Sequence, residues 1–299
     1  PMPQPLSSLK ILDFSTLLPG PFGSLLLADM GADVLRVEAP GRPDMVRHLQ
    51  PQADGTAAWH SVLNRNKRSL ALDLKQPGAV DVVKRLITDG GYDIVLEQFR
   101  PGVMDRLGVG YEALSAANPR LIYCAVTGYG QDGPLKDRAG HDINYLALSG
   151  ILAHSGTEAG GPPPLGVQIA DVGGGALGAV MGILAAVIER QQTGRGQLVD
   201  VAMLDTAVAL HSHVISHYLA AGEEPARAGW ALNGGSFYGC YQTQDGRYLS
   251  VGSLEPKFWQ GFCAAIERPE LAPLGADPAA QAQLKQAIAD TIRARPLAE

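Results

Sequence analysis

The sequence predicts an α/β fold in which a parallel β-sheet carries helices on both faces and a smaller α+β domain follows. Three observations predict it. Through residues 1–200, short aliphatic and β-branched runs alternate with longer helix-patterned stretches, and this alternation demands crossover connections that lay helices over a parallel sheet. After residue 228 the order changes, because runs 238–243 and 247–251 flank Gln244-Asp245-Gly246 and read as a hairpin. Finally, 46% hydrophobic against 18% charged residues in a chain of 299 fills a core of that size.

Taken in order, residues 9–14 read as a strand, 21–30 as a helix after the turn Leu18-Pro19-Gly20, and 33–37 as a second strand. The unit repeats with strands at 69–73 and 93–96 around a helix at 79–88, then short helices, then a strand at 121–127. Residues 172–188 are uncharged and fall just under the ~20 apolar residues of a membrane span. Their glycines and alanines, and the flanking Asp171 and Glu189-Arg190, favour a buried helix whose neighbours approach closely, so no membrane is expected. Gly194 and Gly196 end that helix, and 198–202 reads as a further strand that closes a large domain at residues 1–200. A long helix at 204–221 falls in a linker spanning 201–228. The small domain, 229–299, holds the hairpin and a helix at 256–266.

A formal net charge of -6 and a pI near 5.6 argue against a nucleic-acid surface. Cys124, Cys240 and Cys263 are far apart and lack CxxC spacing, which fits neither a disulfide framework nor a zinc ribbon and suits a reducing, cytoplasmic setting. The start, Pro1-Met2-Pro3-Gln4-Pro5, leads into no apolar signal segment. His213 and His217 are four apart on one helix face, but no Glu lies between them and no third ligand stands near, so no metal is expected.

Ligands of open parallel sheets bind beyond the carboxyl ends of the strands, which points to the polar loops after Phe14, Val37, Leu96 and Thr127. A dinucleotide site is disfavoured: Gly20 and Gly23 do not make G-x-G-x-x-G, and Pro21 stiffens the turn that would wrap the pyrophosphate. Arg36, Arg42 and Lys67-Arg68 suit a multi-phosphate ligand outside a Rossmann-like sheet, although any one of them could equally be a surface ion pair.

Two residues stand where proton transfer could occur. His141 opens the helix-patterned stretch 143–148, where the positive helix end favours a neutral imidazole, and Asp142 beside it can cap that helix or orient the ring. Asp171 opens the Gly-rich helix as an N-cap or as a catalytic acid. Glycine costs a helix about 1 kcal/mol per residue relative to alanine. The run Gly173-Gly174-Gly175 therefore suggests bare backbone presented to a ligand, with the amides at the helix start, Gly173 and Gly174, as donors to an enolate or tetrahedral oxygen.

The strings Leu18-Pro19-Gly20-Pro21, Gly31-Ala32-Asp33-Val34-Leu35-Arg36-Val37-Glu38, Asn66-Lys67-Arg68, Phe99-Arg100-Pro101-Gly102-Val103, Thr127-Gly128-Tyr129-Gly130, Gly140-His141-Asp142-Ile143-Asn144-Tyr145 and Thr193-Gly194-Arg195-Gly196-Gln197 carry a resemblance. Over nearly its whole length the chain resembles the family III CoA-transferases, the CaiB/BaiF group, and within it the branch of α-methylacyl-CoA racemases. The resemblance implies that fold, with Arg36, Asn66, Lys67, Arg68, Arg100 and Tyr129 holding coenzyme A. It makes Asp171 the acid shared by the group, a nucleophile in transferases and a base in racemases. His141, supported by Glu255 of Glu255-Pro256, points to the racemases. The acyl-CoA thioester would be the substrate, with no cofactor. An interlocked homodimer is also implied, but the sequence stops at Glu299, short of the usual end, so the segment returning to the large domain is expected to be missing. Three functions follow: racemase, CoA-transferase, or non-catalytic CoA-ester binder.

Overall fold

The computed structural model describes residues 4–298. Its main sheet is built from β1 (Lys10–Asp13), β2 (Asp33–Glu38), β5 (Lys67–Ala71), β6 (Ile94–Glu97), β7 (Ile122–Thr127) and β8 (Leu198–Ala202), and a two-residue ladder of β3 (Gln52–Ala53) and β4 (Thr56–Ala57) lies between β2 and β5 in sequence. The strand order is β5-β2-β1-β6-β7-β8 and every pairing in this sheet is parallel. The chain builds outward from β1 on one side, then returns to β6 and builds outward on the other. The loops leaving β1 and β6 diverge at that reversal, which opens a crevice at their carboxyl ends.

Alternation along each strand divides the core. Leu12, Leu35, Val37, Val95, Tyr123 and Ala125 pack with Val83 and Ile87 of α3 (Ala79–Thr88) and Leu114 of α5 (Tyr111–Ala117). The opposite face is covered by α1 (Pro19–Asp29) and α8 (Leu177–Thr193), where Leu27, Ala179 and Ile183 are fully buried. The continuous run Ala170–Thr193 is long and apolar enough to cross a membrane by length and composition. One of its faces is packed against the sheet, while Leu177, Met181 and Ile188 are exposed. The same half also holds the α-helices α2 (Ala58–Asn64), α4 (Val103–Arg106), α6 (Asp142–Leu148) and α9 (Met203–Leu210).

The α8 helix is preceded by a π-helical segment, Ala170–Ala176. The helix expected at 204–221 is two helices, α9 and α10 (Ser212–Ala221), separated at His211, whose Nδ1 lies 3.1 Å from the carbonyl oxygen of Ser149.

The chain forms two compact units, and they do not follow the linear division at 200 and 229. The first comprises the residues up to Ser149 with Leu165–His211; the second comprises Gly150–Pro164 with the residues from Ser212 onward. Helix α9 belongs to the first because its Met203 seats against Gly174 and Gly175. The segment 150–164, with α7 (Ile151–His154), belongs to the second because Arg227 Nε donates to Ala153 O at 2.7 Å and Asn233 donates to His154 O. In this unit the antiparallel hairpin β9 (Gly239–Gln242) and β10 (Tyr248–Val251) packs with α11 (Pro256–Ala265) and α12 (Gln281–Arg293) around Phe237, Trp259, Cys263, Leu284 and Ile288. The His213 and His217 rings lie 5.3 and 6.3 Å from the ring of Trp230, and among the described residues no cluster of His, Cys, Asp and Glu could hold a metal.

Candidate active site

A cleft of about 430 Å³ opens at the carboxyl ends of the central strands. Leu17 and Pro19 after β1, Gln98 to Pro101 after β6, and Thr127 and Gly128 after β7 form its walls, and His141, Asp171 and Met203 complete it. All of these belong to the first unit. Gly20 is bare because a Cβ there would fall 2.2 Å from Ser15 Cβ; its amide donates to Gln98 Oε1 at 2.9 Å and ties the β1 loop to the β6 loop.

His141 is the N-cap of α6, and Asn144 Oδ1 accepts from its backbone amide at 3.0 Å. The turn before it is shaped by Tyr145, which donates its hydroxyl to Gly140 O at 2.7 Å and meets the Tyr129 ring edge-on with centroids 5.2 Å apart. A Cβ on Gly140 or Gly128 would come within 2.7 or 2.5 Å of Tyr145, so both glycines make room for that ring. Burial raises the Tyr145 hydroxyl to about 12, so it stays a donor.

Asp171 is not an N-cap. It lies inside the π segment, and its own amide is capped by a carboxylate from elsewhere: Asp142 Oδ1 accepts from Ala170 N at 2.7 Å and from Asp171 N at 3.0 Å. Asp142 thus caps the helix of the other acid rather than its own. The Asp171 carboxyl is raised to about 6, first by burial, then by the negative charge of Asp142, against an opposing pull from His141.

Two of the three glycines have a packing cause. A Cβ on Gly174 would meet Met203 O at 2.9 Å, and one on Gly175 would meet Pro19 Cβ at 2.8 Å. Gly173 and Gly174 are not the opening residues of the segment, and its first two amides are already satisfied by Asp142. A free donor pair at the helix start is therefore not what these glycines provide.

The CoA-transferase family III model matches residues 6–299. The chain belongs to CoA-transferase family III. It is 42% identical over 258 residues to the human alpha-methylacyl-CoA racemase, covering 85% of this chain and 63% of that protein. It is 37% identical over 269 residues to the human succinyl-CoA:glutarate CoA-transferase, covering 90% of this chain and 60% of that one. The chain thus spans about three-fifths of the length of these two relatives. Among solved structures, a CAIB/BAIF family protein from Brucella suis superposes with a TM-score of 0.81 at 31% identity, over 98% of this chain and 84% of that one.

Within this family III fold, several residues expected to hold coenzyme A are committed elsewhere. Arg36 is buried, paired with Asp44 at 2.5 Å and 3.0 Å from His60 Nε2. Asp44 also anchors the cleft loop by accepting from Leu17 N at 3.1 Å. The Lys67 side chain is buried too: its ammonium donates to Pro21 O at 2.8 Å and sits 3.4 Å from Asp13, and burial lowers its pKa. Asn66 donates to Asp29 at 2.8 Å, and Arg68 is exposed and paired with Asp33 at 2.7 Å. Glu38 is held at about 2 by its bidentate pair with Arg47. Of the expected cations, Arg100 alone lines the cleft; Tyr129 meets the Tyr145 ring edge-on and is not among the lining residues, and Glu255 is the residue before α11 in the second unit and makes no side-chain cap bond there.

Two cleft cations escaped the sequence reading. Lys136 and Arg138 line the cleft with Arg100, and among the described residues none of the three side chains has a hydrogen bond or ion pair. The signal available was their place in the loop just before His141. Glu97 was also missed as a buried acid: it ends β6, accepts from Phe99 N at 2.7 Å, and burial raises it to about 8.

Proposed function

We propose that this family III chain works on CoA thioesters as a racemase or epimerase, moving the α-proton of a 2-methyl-branched acyl-CoA. The observation that carries the reading is the presence of His141 and Asp171 in one cleft, with Asp171 raised to about 6. A group with that affinity is populated in both protonation states near neutral pH, as a two-base reaction requires.

One base takes the α-proton and the C–H electron pair moves into the thioester carbonyl as an enolate. The conjugate acid of the other base then returns a proton to the opposite face. With Asp171 as the base, His141 is the imidazolium donor; in the reverse direction neutral His141 is the base and protonated Asp171 the donor. Arg100, Lys136 and Arg138 offer positive charge to the phosphates of the CoA handle, in a cleft with Asp171 as its carboxylate, on a chain of net charge -6. A homodimer and a cytoplasmic setting belong to the same proposal.

The runner-up is CoA transfer, favoured by the succinyl-CoA:glutarate transferase at 37% identity. There Asp171 is the nucleophile and forms an acyl anhydride as the CoA thiolate departs. Incubating a 2-methylacyl-CoA in heavy water decides between them. α-Deuterium incorporation that is lost in His141→Ala is the result expected. Absence of incorporation, together with hydroxylamine trapping of an acyl group on Asp171, overturns the racemase reading in favour of transfer; binding with neither signal overturns both.

A further inference from the structure

We infer that Asp142 is the positioning residue that sets where Asp171 sits, so that the residue next to one member of the proposed base pair holds the other in place. The inference rests on the two-base reading for its catalytic meaning, and on hydrogen bonds for its structure. Asp142 follows His141 directly and is the first residue of α6. Its Oδ1 accepts two backbone amides, Ala170 N at 2.7 Å and Asp171 N at 3.0 Å, from a segment 28 and 29 residues further along the chain. The peptide that carries one base is thereby hung from the side chain next to the other.

The clamp has an electrostatic side. A carboxylate that holds the Asp171 peptide also places negative charge beside the Asp171 carboxyl, and like charge favours its protonated form. Other charged and titratable groups share the cleft with Asp171. His141 opposes Asp142, Tyr145 forms part of the wall, and Arg100, Lys136 and Arg138 line the same cleft with positive charge; α1 and α9 present Pro19 and Met203 there. Local propensity does not account for an acid that caps a distant helix, since a first-turn acid normally serves its own macrodipole.

Two substitutions separate the clamp from the charge. Asp142→Asn keeps an acceptor oxygen and removes the charge; Asp142→Ala removes both. In substrate-free protein, the Asp171 carboxyl is titrated by carbon NMR of labelled aspartate, and the Ala170 and Asp171 amides are followed by hydrogen exchange. Asp142→Asn should lower the Asp171 midpoint by about one unit, the size expected for loss of a near like charge, with amide protection kept. Asp142→Ala should cost those two amides at least about tenfold in protection, the loss expected for a hydrogen bond of roughly 1.4 kcal/mol. In turnover, the acid limb of α-deuterium exchange, set by deprotonation of Asp171 as base, should move to lower pH in Asp142→Asn. An unmoved Asp171 midpoint in Asp142→Asn, or unchanged protection in Asp142→Ala, overturns the inference. A wild-type protein without α-deuterium exchange sinks the racemase reading, yet the titration and protection results would still decide the role of Asp142.

Discussion

Alanine at Gly173 and at Gly174 should have opposite effects on stability, although the residues are adjacent in the same segment. Replacing glycine by alanine within a helix gains about 1 kcal/mol by restricting the unfolded chain. At Gly173 the new methyl would stand 3.1 Å from Leu210 Cδ1, the end of a flexible side chain, which can turn aside. The gain should survive, leaving the protein unchanged or stabilised by up to about 1 kcal/mol. At Gly174 the methyl would stand 2.9 Å from Met203 O and 3.5 Å from its Cα, and backbone at the start of α9 cannot turn aside. Overpacking of that kind costs about 1–3 kcal/mol and outweighs the gain. For a unit of this size, each 1 kcal/mol moves Tm by roughly 2–4 °C, so thermal unfolding should separate the two variants. Gly173→Ala proving the more destabilising variant would refute the packing account. Gly173→Ala losing α-deuterium exchange at full stability would instead restore bare backbone as a ligand requirement.

Arg36→Ala should destabilise the fold by about 3–5 kcal/mol, because it leaves Asp44 buried without its partner; a folded variant whose sole defect is weaker CoA-ester binding would contradict this. Lys136→Ala and Arg138→Ala should each raise KM for an acyl-CoA by about tenfold, as expected for a lost charge-assisted contact. KM for the corresponding acyl-pantetheine, which lacks the phosphates, should not change. Glu97, raised to about 8, contributes stability that is fully present below the unfolded-state value of 4.5 and is lost as pH rises through 8. Glu97→Gln should therefore match wild type in Tm near pH 5 and exceed it at pH 9; equal Tm values at pH 9 would show that Glu97 ionises freely.

The sheet was legible in the sequence because its signal is local. Strand period and crossover length place each strand within a few residues, and residues 198–202 and 79–88 coincide with β8 and α3. The position of the cleft followed from topology, since loops after Phe14, Leu96 and Thr127 do line it. What stayed hidden was the partner of each polar group. Arg36 reads as a surface cation until Asp44 and His60 fold over it, and Lys67 does so until Asp13 and Pro21 close around its ammonium. Asp142 was misread for the same reason: capping rules look two or three residues ahead, whereas its amides arrive from a segment beyond the next helix. The glycine run was visible, but the cause of Gly174 and Gly175 is the approach of Met203 and Pro19, which no one-dimensional pattern encodes.

The π segment has a geometric consequence for how the acid is aimed. In an α-helix each residue advances the bearing of the next side chain by about 100°. A π turn closes its hydrogen bonds one residue later and so slips the bearing of everything before it against everything after. Asp171 lies in the first turn of that segment, while Ala179, Ile183 and Ala186, which seat α8 in the core, lie after it. The direction of the carboxyl and the seating of the helix are thereby decoupled. Removing one residue between Ala170 and Ala176 would change the bearing of Asp171 relative to the buried face of α8, and would act against the hold of Asp142 on the Asp171 amide.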